Sequence, residues 1–95
     1  MGAEYFQVKS TGNTIDEAFR KVVDEARYNY GHAGYTGTIA EKSSYTLHRN
    51  PMGLDPKQFI SYILDADEDA DDKWGPANAV QVEPNTWIFF GYASS

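Results

Sequence analysis

The sequence predicts a single α+β domain over residues 1–95, a two-layer sandwich with the element order β-α-β-β-α-β-β. Three observations predict this class: alternating apolar and polar residues near the N-terminus, an amphipathic helical segment with capping signals, and two short apolar runs near the C-terminus. The first six elements match a ferredoxin-like arrangement. The extra C-terminal strand is expected to extend or cover an edge of the sheet.

The first strand and the first helix carry the clearest signals. Alternation over residues 4–9 predicts a strand with Phe6 and Val8 on one face. Thr14 followed by Glu17 forms a capping-box pattern and predicts a helix start, and Gly31 stands where a glycine commonly ends a helix. The residues that fall on one face of this helix are Ile15, Phe19, Val22, Ala26 and Tyr30, of which Tyr30 is expected to be exposed.

The remaining elements are shorter. Asp55 as an N-cap and Pro56 at the first helical position predict a second helix that ends at Leu64. The other predicted strands cover residues 35–42, 44–48, 79–83 and 86–93, and Pro84 and Asn85 join the last two.

Composition limits the classes of partner. The formal net charge is −6 and the eight Lys and Arg residues are scattered, so polymeric nucleic acid is not an expected partner. The chain has no cysteine, which favours a reducing cytoplasm. No apolar run approaches the ~20 residues of a membrane span, and the N-terminus lacks the features of a signal peptide. No cofactor or metal is predicted, and self-association would supplement a small core.

Residues 30–42 are the most distinctive segment, because glycines at positions 31, 34 and 37 alternate with tyrosine, histidine and threonine. Glycine lets the backbone approach a ligand closely. Dinucleotide and P-loop glycines precede a helix N-terminus, whereas these glycines follow a helix, which argues against both motifs. The segment is interpreted either as a ligand loop or as a helix cap with a tight strand entry.

An acidic run follows the second helix, over residues 65–72. It resembles the start of a calcium-binding loop, but Ala70 replaces the required glycine and Pro76 replaces the bidentate glutamate. The run is interpreted as a solvated helix end or loop, with a surface for a basic protein partner as the functional alternative.

Three segments resemble those of a group of small bacteriophage proteins with few or no assigned functions. They are GYTGTIAEK at residues 34–42, DDKWGPA at residues 71–77 and FFGYASS at residues 89–95, about a quarter of the chain. The chain departs from the group at Tyr92, where the group carries tryptophan. The resemblance implies a phage or prophage origin and action in the bacterial host cytoplasm, but it brings no established activity.

Three functions stay open in that context. The preferred one is counter-defence by a small homo-oligomer that binds and sequesters a nucleotide-derived immune signal, such as a cyclic nucleotide or an ADP-ribose derivative. The second is inhibition of a host protein through the acidic run. The third is a small phosphodiesterase or lyase, for which only His32, His48 and Glu41 offer acid–base groups.

The preferred function assigns a role to each candidate residue type. Aromatic side chains would stack on a base, with Trp74 as the main candidate, and Arg27 or Lys42 would contact phosphate. No catalytic residue and no metal ligand is assigned. The predicted ligand-binding residues are Arg27, Tyr30, His32, Gly34, Tyr35, Thr36, Gly37, Thr38, Lys42 and Trp74.

Overall fold

Helix α1 spans Ile15–Tyr30 and begins and ends where the sequence predicts. The Thr14 hydroxyl accepts the Glu17 amide at 3.2 Å, and the Glu17 carboxylate accepts the Asn13 amide at 2.8 Å. At the other end the Gly31 amide donates to the Arg27 carbonyl at 2.8 Å, with Gly31 at a φ of 87°. These capping interactions satisfy backbone groups that the helix itself leaves unpaired.

The computed structural model describes residues 2–31, 36–49, 53–66 and 74–94. Around α1 these residues form four strands, a second helix and one 3₁₀ turn. The elements are β1 (Ala3–Thr11), the 3₁₀ helix (Ile39–Glu41), β2 (Tyr45–His48), α2 (Pro56–Ala66), β3 (Ala77–Glu83) and β4 (Thr86–Ser94). The Asp55 carboxylate caps α2 by accepting the Lys57 amide at 3.2 Å, as predicted.

The four strands form one mixed sheet in the order β1-β4-β3-β2. β4 is antiparallel to both neighbours, whereas β2 and β3 are parallel. The α+β class is therefore confirmed, but the ferredoxin-like order is not. One difference is the strand predicted at residues 35–42, where the described residues form the 3₁₀ helix instead.

β4 occupies the centre of the sheet, so the expectation that the last strand extends or covers an edge is wrong. Its residues pair with β1 from Thr86 to Ser94 and with β3 from Thr86 to Phe90. Phe89 and Phe90 point to opposite faces and neither exposes any surface. A strand whose two faces are both apolar gains most from a central position, where both faces are covered.

The two helices cover opposite faces of this sheet. Residues of α1 such as Phe19 and Val22 pack with Phe6 and Phe89, whereas Phe59 and Ile63 of α2 pack on the face that carries Phe90. The layers thus run helix, sheet, helix, and the chain does not place both helices on one face as the ferredoxin-like expectation requires.

Two side chains fix α1 to the sheet at its N-terminal end. The buried Ser10 hydroxyl donates to the Ala18 carbonyl at 2.9 Å and joins β1 to the helix. On β2, the Tyr45 hydroxyl donates to the Asp16 carboxylate, and its ring packs against Phe19 and Phe89. Partial burial raises the pKa of Tyr45 to about 12, the Asp16 interaction acts in the same direction, and Arg20 opposes it.

We expect this tyrosine to make stability depend on pH in the alkaline range. Its pKa in the unfolded chain is ~10, so the folded state holds the proton more tightly. Its contribution to the free energy of unfolding is full below pH ~10 and is lost as the pH rises through about 12. Denaturation over this range should show a smaller loss in Tyr45→Phe than in the wild type. Tyr28→Phe, at an exposed ring, is the matched control, and equal losses in all three proteins would contradict the prediction.

Candidate functional site

A groove of about 600 Å³ lies between β1, the C-terminal half of α1 and the segment that leads into the 3₁₀ helix. We call it the β1–α1 groove. Its lining residues are 4–9 of β1, Val22, Glu25, Ala26, Asn29 and Tyr30 of α1, and Thr36, Gly37, Thr38 and Ile39. Four predicted ligand residues, Tyr30, Thr36, Gly37 and Thr38, are therefore brought together at one place.

The wall formed by Thr36 and Thr38 is held by local hydrogen bonds. The Thr36 amide and hydroxyl both donate to Oε2 of Glu41, at 3.1 and 2.8 Å. The Thr38 hydroxyl caps the 3₁₀ helix by accepting the Ala40 amide at 3.2 Å, and it lies 2.8 Å from the Thr36 hydroxyl. Such side-chain bonds compete with a strand ladder, which explains why no strand forms over the described part of residues 35–42.

Gly37 is the position of this wall whose backbone conformation favours glycine. Its φ is 72°, its amide donates to the Ser94 carbonyl at 2.8 Å, and a Cβ there would collide with the carboxylate of Glu4. The structural interpretation of the glycine segment therefore explains Gly37, because the chain must pass closely over β1 and the end of β4. The same close passage forms the end of the groove.

One tyrosine supplies aromatic surface to the groove: Tyr30, the last residue of α1, is 64% exposed. The Tyr5 ring lies on the other face of the sheet, the face that carries Phe90. There it packs edge-on against Tyr92 with ring centroids 5.4 Å apart, and its hydroxyl donates to Oε1 of Gln7 at 2.9 Å. Burial, followed by the neighbouring Tyr92, raises the pKa of Tyr5.

Charges divide the groove into two ends. Glu4 lies beside Gly37 at the first end, and Glu25 and Lys9 line the middle. Beyond them a second depression of about 490 Å³ shares Lys9, Val22 and Glu25 with the first and adds Lys21 and Glu83. The Lys21 ammonium lies 3.4 Å from the Thr11 hydroxyl. An extended molecule could thus meet aromatic and hydroxyl groups at one end, and at the other the Lys21 ammonium flanked by two carboxylates.

The strand that floors the groove has a free edge within the described part of the chain. β1 is the outermost strand and pairs only with β4. The Gly12 amide donates to the Asn85 carbonyl, so these two residues form a hydrogen-bonded pair of the antiparallel ladder. Hydrogen-bonded pairs alternate with non-hydrogen-bonded pairs along the two strands. The backbone amides and carbonyls of Tyr5, Gln7 and Lys9 belong to non-hydrogen-bonded pairs and therefore point away from β4. These amides and carbonyls are available to a ligand or to another strand.

Arg27, Lys42 and Trp74 are described by the structure and do not line the groove. Arg27 is exposed on α1, and Trp74, at 63% exposure, lies in a turn before β3. Lys42 was expected to contact phosphate, but its side chain is buried and its ammonium donates to the Gly75 carbonyl at 2.8 Å. That bond gives Lys42 a structural role between the 3₁₀ helix and the turn. His32, Gly34 and Tyr35 lie outside the described residues.

Of the candidate acid–base groups, His48 and Glu41 are described and do not line the groove, and His32 lies outside the described residues. Nε2 of His48 lies 2.9 Å from Oδ1 of the buried Asn78, and the His48 ring lies 6.4 Å from that of Phe90, on the face covered by α2. Within the described residues no group of three or more His, Cys, Asp or Glu side chains is placed to hold a metal ion. Of the acidic run, only Asp65 and Ala66 are described, so its interpretation as an interaction surface stays a prediction.

Sequence reasoning missed the contribution of β1 and of the polar face of α1. Lys9, Glu25 and Asn29 line the site because β1 is an edge strand. The signal that could have revealed this is the continuous apolar run of residues 87–90, which identifies β4 as a strand buried on both faces. A central C-terminal strand leaves an edge position for another strand.

Comparisons with protein-family models, with curated proteins and with solved structures give no match to this chain. No helix in the described part of the chain is long and apolar enough to cross a membrane. Function therefore has to be argued from the groove itself.

Proposed function

We propose that the protein is a binding protein that holds a nucleotide-derived small molecule in the β1–α1 groove and releases it unchanged. The observation that carries the proposal is the convergence of Tyr30, Thr36, Gly37 and Thr38 on one groove. An exposed aromatic ring offers a stacking surface for a base, and hydroxyl groups beside it offer hydrogen bonds to a base or a ribose.

The dimensions of the groove fit an extended ligand rather than a single small group. Residues 4–9 form its floor, and at about 3.3 Å per residue this floor is roughly 16 Å long. Lys21 lies toward the far end of β1, beside Glu25 and Glu83, and is the cation placed to contact a phosphate, whereas Glu4 beside Gly37 would repel one. The phosphate contacts expected from Arg27 and Lys42 are thereby reassigned to Lys21 in this proposal.

The biological setting of the proposal comes from the resemblance to small bacteriophage proteins. A phage protein that binds a cyclic nucleotide or an ADP-ribose derivative without cleaving it would lower the concentration of a host immune signal in the bacterial cytoplasm. Sequestration requires only tight binding and sufficient protein, which a small domain with one groove can supply.

The test is thermal melting of the purified protein against cyclic di- and trinucleotides, ADP-ribose and its cyclic isomers, NAD and mononucleotides. A ligand at 100 times its dissociation constant adds ~2.7 kcal/mol, which raises the melting temperature of a domain this size by roughly 10 °C. Mass spectrometry of the ligand recovered after denaturation should show it intact. Recovery of a product would make the protein an enzyme, and no shift with any compound would refute nucleotide binding.

Tyr30→Ala should weaken the binding of any nucleotide identified in this way. Loss of one base stack of ~1–3 kcal/mol corresponds to a rise in dissociation constant of about 5- to 150-fold, measured by calorimetry. Tyr28→Ala is the matched control, because Tyr28 is a neighbouring tyrosine of α1 that is 90% exposed and does not line the groove. If the two substitutions weaken binding equally, or if neither weakens it, the base does not stack on Tyr30.

A second candidate function, contact with a protein, is favoured by the free edge of β1. An added strand could pair with the outward backbone groups of Tyr5, Gln7 and Lys9. A second copy of the chain is the simplest partner, because two identical edges can pair antiparallel about a twofold axis. A host protein could use the same edge.

Gln7→Pro separates this candidate from nucleotide binding. Proline removes an amide that points away from β4, so the sheet should persist while strand addition at this edge is blocked. Sedimentation equilibrium should show a wild-type dimer and a Gln7→Pro monomer, with Val8→Pro as the control that disrupts the β1–β4 ladder and unfolds the protein. A wild-type protein that stays monomeric, or a dimer that survives Gln7→Pro, would exclude self-pairing through β1.

A further inference from the structure

The hydroxyl protons of Thr36 and Thr38 both donate hydrogen bonds within the protein. The two hydroxyl groups can therefore only accept hydrogen bonds from a ligand, and we call this the polarity of the groove wall. The Thr36 hydroxyl donates to Glu41 at 2.8 Å. A hydroxyl has one proton, so the 2.8 Å contact between the two threonines requires Thr38 to donate to Thr36. Neither side chain keeps a proton for a ligand. Thr36 accepts from Thr38 and Thr38 accepts from the Ala40 amide, so each oxygen keeps one acceptor lone pair.

The charged neighbours reinforce this polarity. Glu4 lies at the same end of the groove, next to Gly37, and Glu25 lines the side formed by α1. Both carboxylates are acceptors when ionised. Among the described lining residues Lys9 is the one cation, and its side chain lies on the face of the sheet opposite α1.

We propose that this end of the groove selects a ligand group that donates hydrogen bonds, and that the bound nucleotide carries an amino-bearing base there. This inference rests on the proposed function and adds the class of base and its orientation. The amino group of adenine would donate to the threonine oxygens while the ring stacks on Tyr30. Phosphates would extend along β1 toward Lys21, away from Glu4.

Hypoxanthine provides the sharpest comparison, because it replaces the adenine amino group with a carbonyl of similar size. A hypoxanthine carbonyl facing Thr36 and Thr38 would meet the lone pairs of their oxygens rather than protons. The threonine oxygens would then have no donor from the ligand, so the hypoxanthine analogue should bind more weakly. The probe pairs are AMP with IMP, ADP-ribose with its hypoxanthine analogue, and cyclic di-AMP with cyclic di-IMP.

Calorimetry should show that the adenine member of at least one pair binds about 10-fold or more tightly than its hypoxanthine partner. Thr36→Val should reduce this ratio, because removing the Thr36 hydroxyl frees the Thr38 proton to donate to the hypoxanthine carbonyl. Thr36→Ser keeps a hydroxyl that can donate to Glu41, so it should retain the ratio and serves as the matched control.

Each alternative result has a separate meaning. Equal affinities within a pair that binds, or an unchanged ratio in Thr36→Val, would overturn the assigned polarity and leave nucleotide binding intact. Binding of a nucleotide without an amino group on its base, with no binding of any adenine compound, would also overturn the inference alone. Failure of every nucleotide to bind would overturn both the inference and the proposed function.

Discussion

Burial of both faces of β4 is the constraint on which the rest of the structure depends. Phe89 and Phe90 are adjacent residues that point in opposite directions, and both are removed entirely from solvent. One helix is needed on each face to achieve this, so α1 packs over Phe89 and α2 over Phe90. Strands are also needed on both edges of β4, and β1 and β3 provide them.

The position of the groove follows from the same constraint. Among the described residues β1 is the first strand but pairs only with β4, the last, so its other edge lies at the border of the sheet. The C-terminal half of α1 and the segment at residues 36–39 stand beside that border and form the walls. Loops at the edge of a rigid scaffold are common places for binding, because the scaffold positions them and they remain accessible.

Local signals in the sequence predicted the helices well, because their ends are decided by nearby residues. Thr14, Glu17 and Gly31 interact within a few positions of where they stand, and the observed caps match. The arrangement of the strands was not predictable in the same way. It depends on contacts between distant segments, such as the pairing of Ala3 with Ser94.

The candidate site was also predicted only in part, because some of its residues are identified by local sequence and others by tertiary packing. Residue type singled out Tyr30, Thr36, Gly37 and Thr38, and these four residues line the same groove. Lys42 and Trp74 were chosen for charge and aromaticity, but Lys42 bonds to Gly75 inside the protein and neither residue lines the groove. Their positions depend on tertiary packing that residue type does not encode.

The central claim is that the β1–α1 groove is the functional site. The most direct test is a titration of the isotope-labelled protein followed through its backbone amide resonances, using the nucleotide that gives the largest rise in melting temperature. The account predicts that the largest chemical-shift changes occur at residues 4–9, 25–30 and 36–39. Changes concentrated at Lys42, Trp74 and Gly75, with the groove amides unaffected, would contradict it.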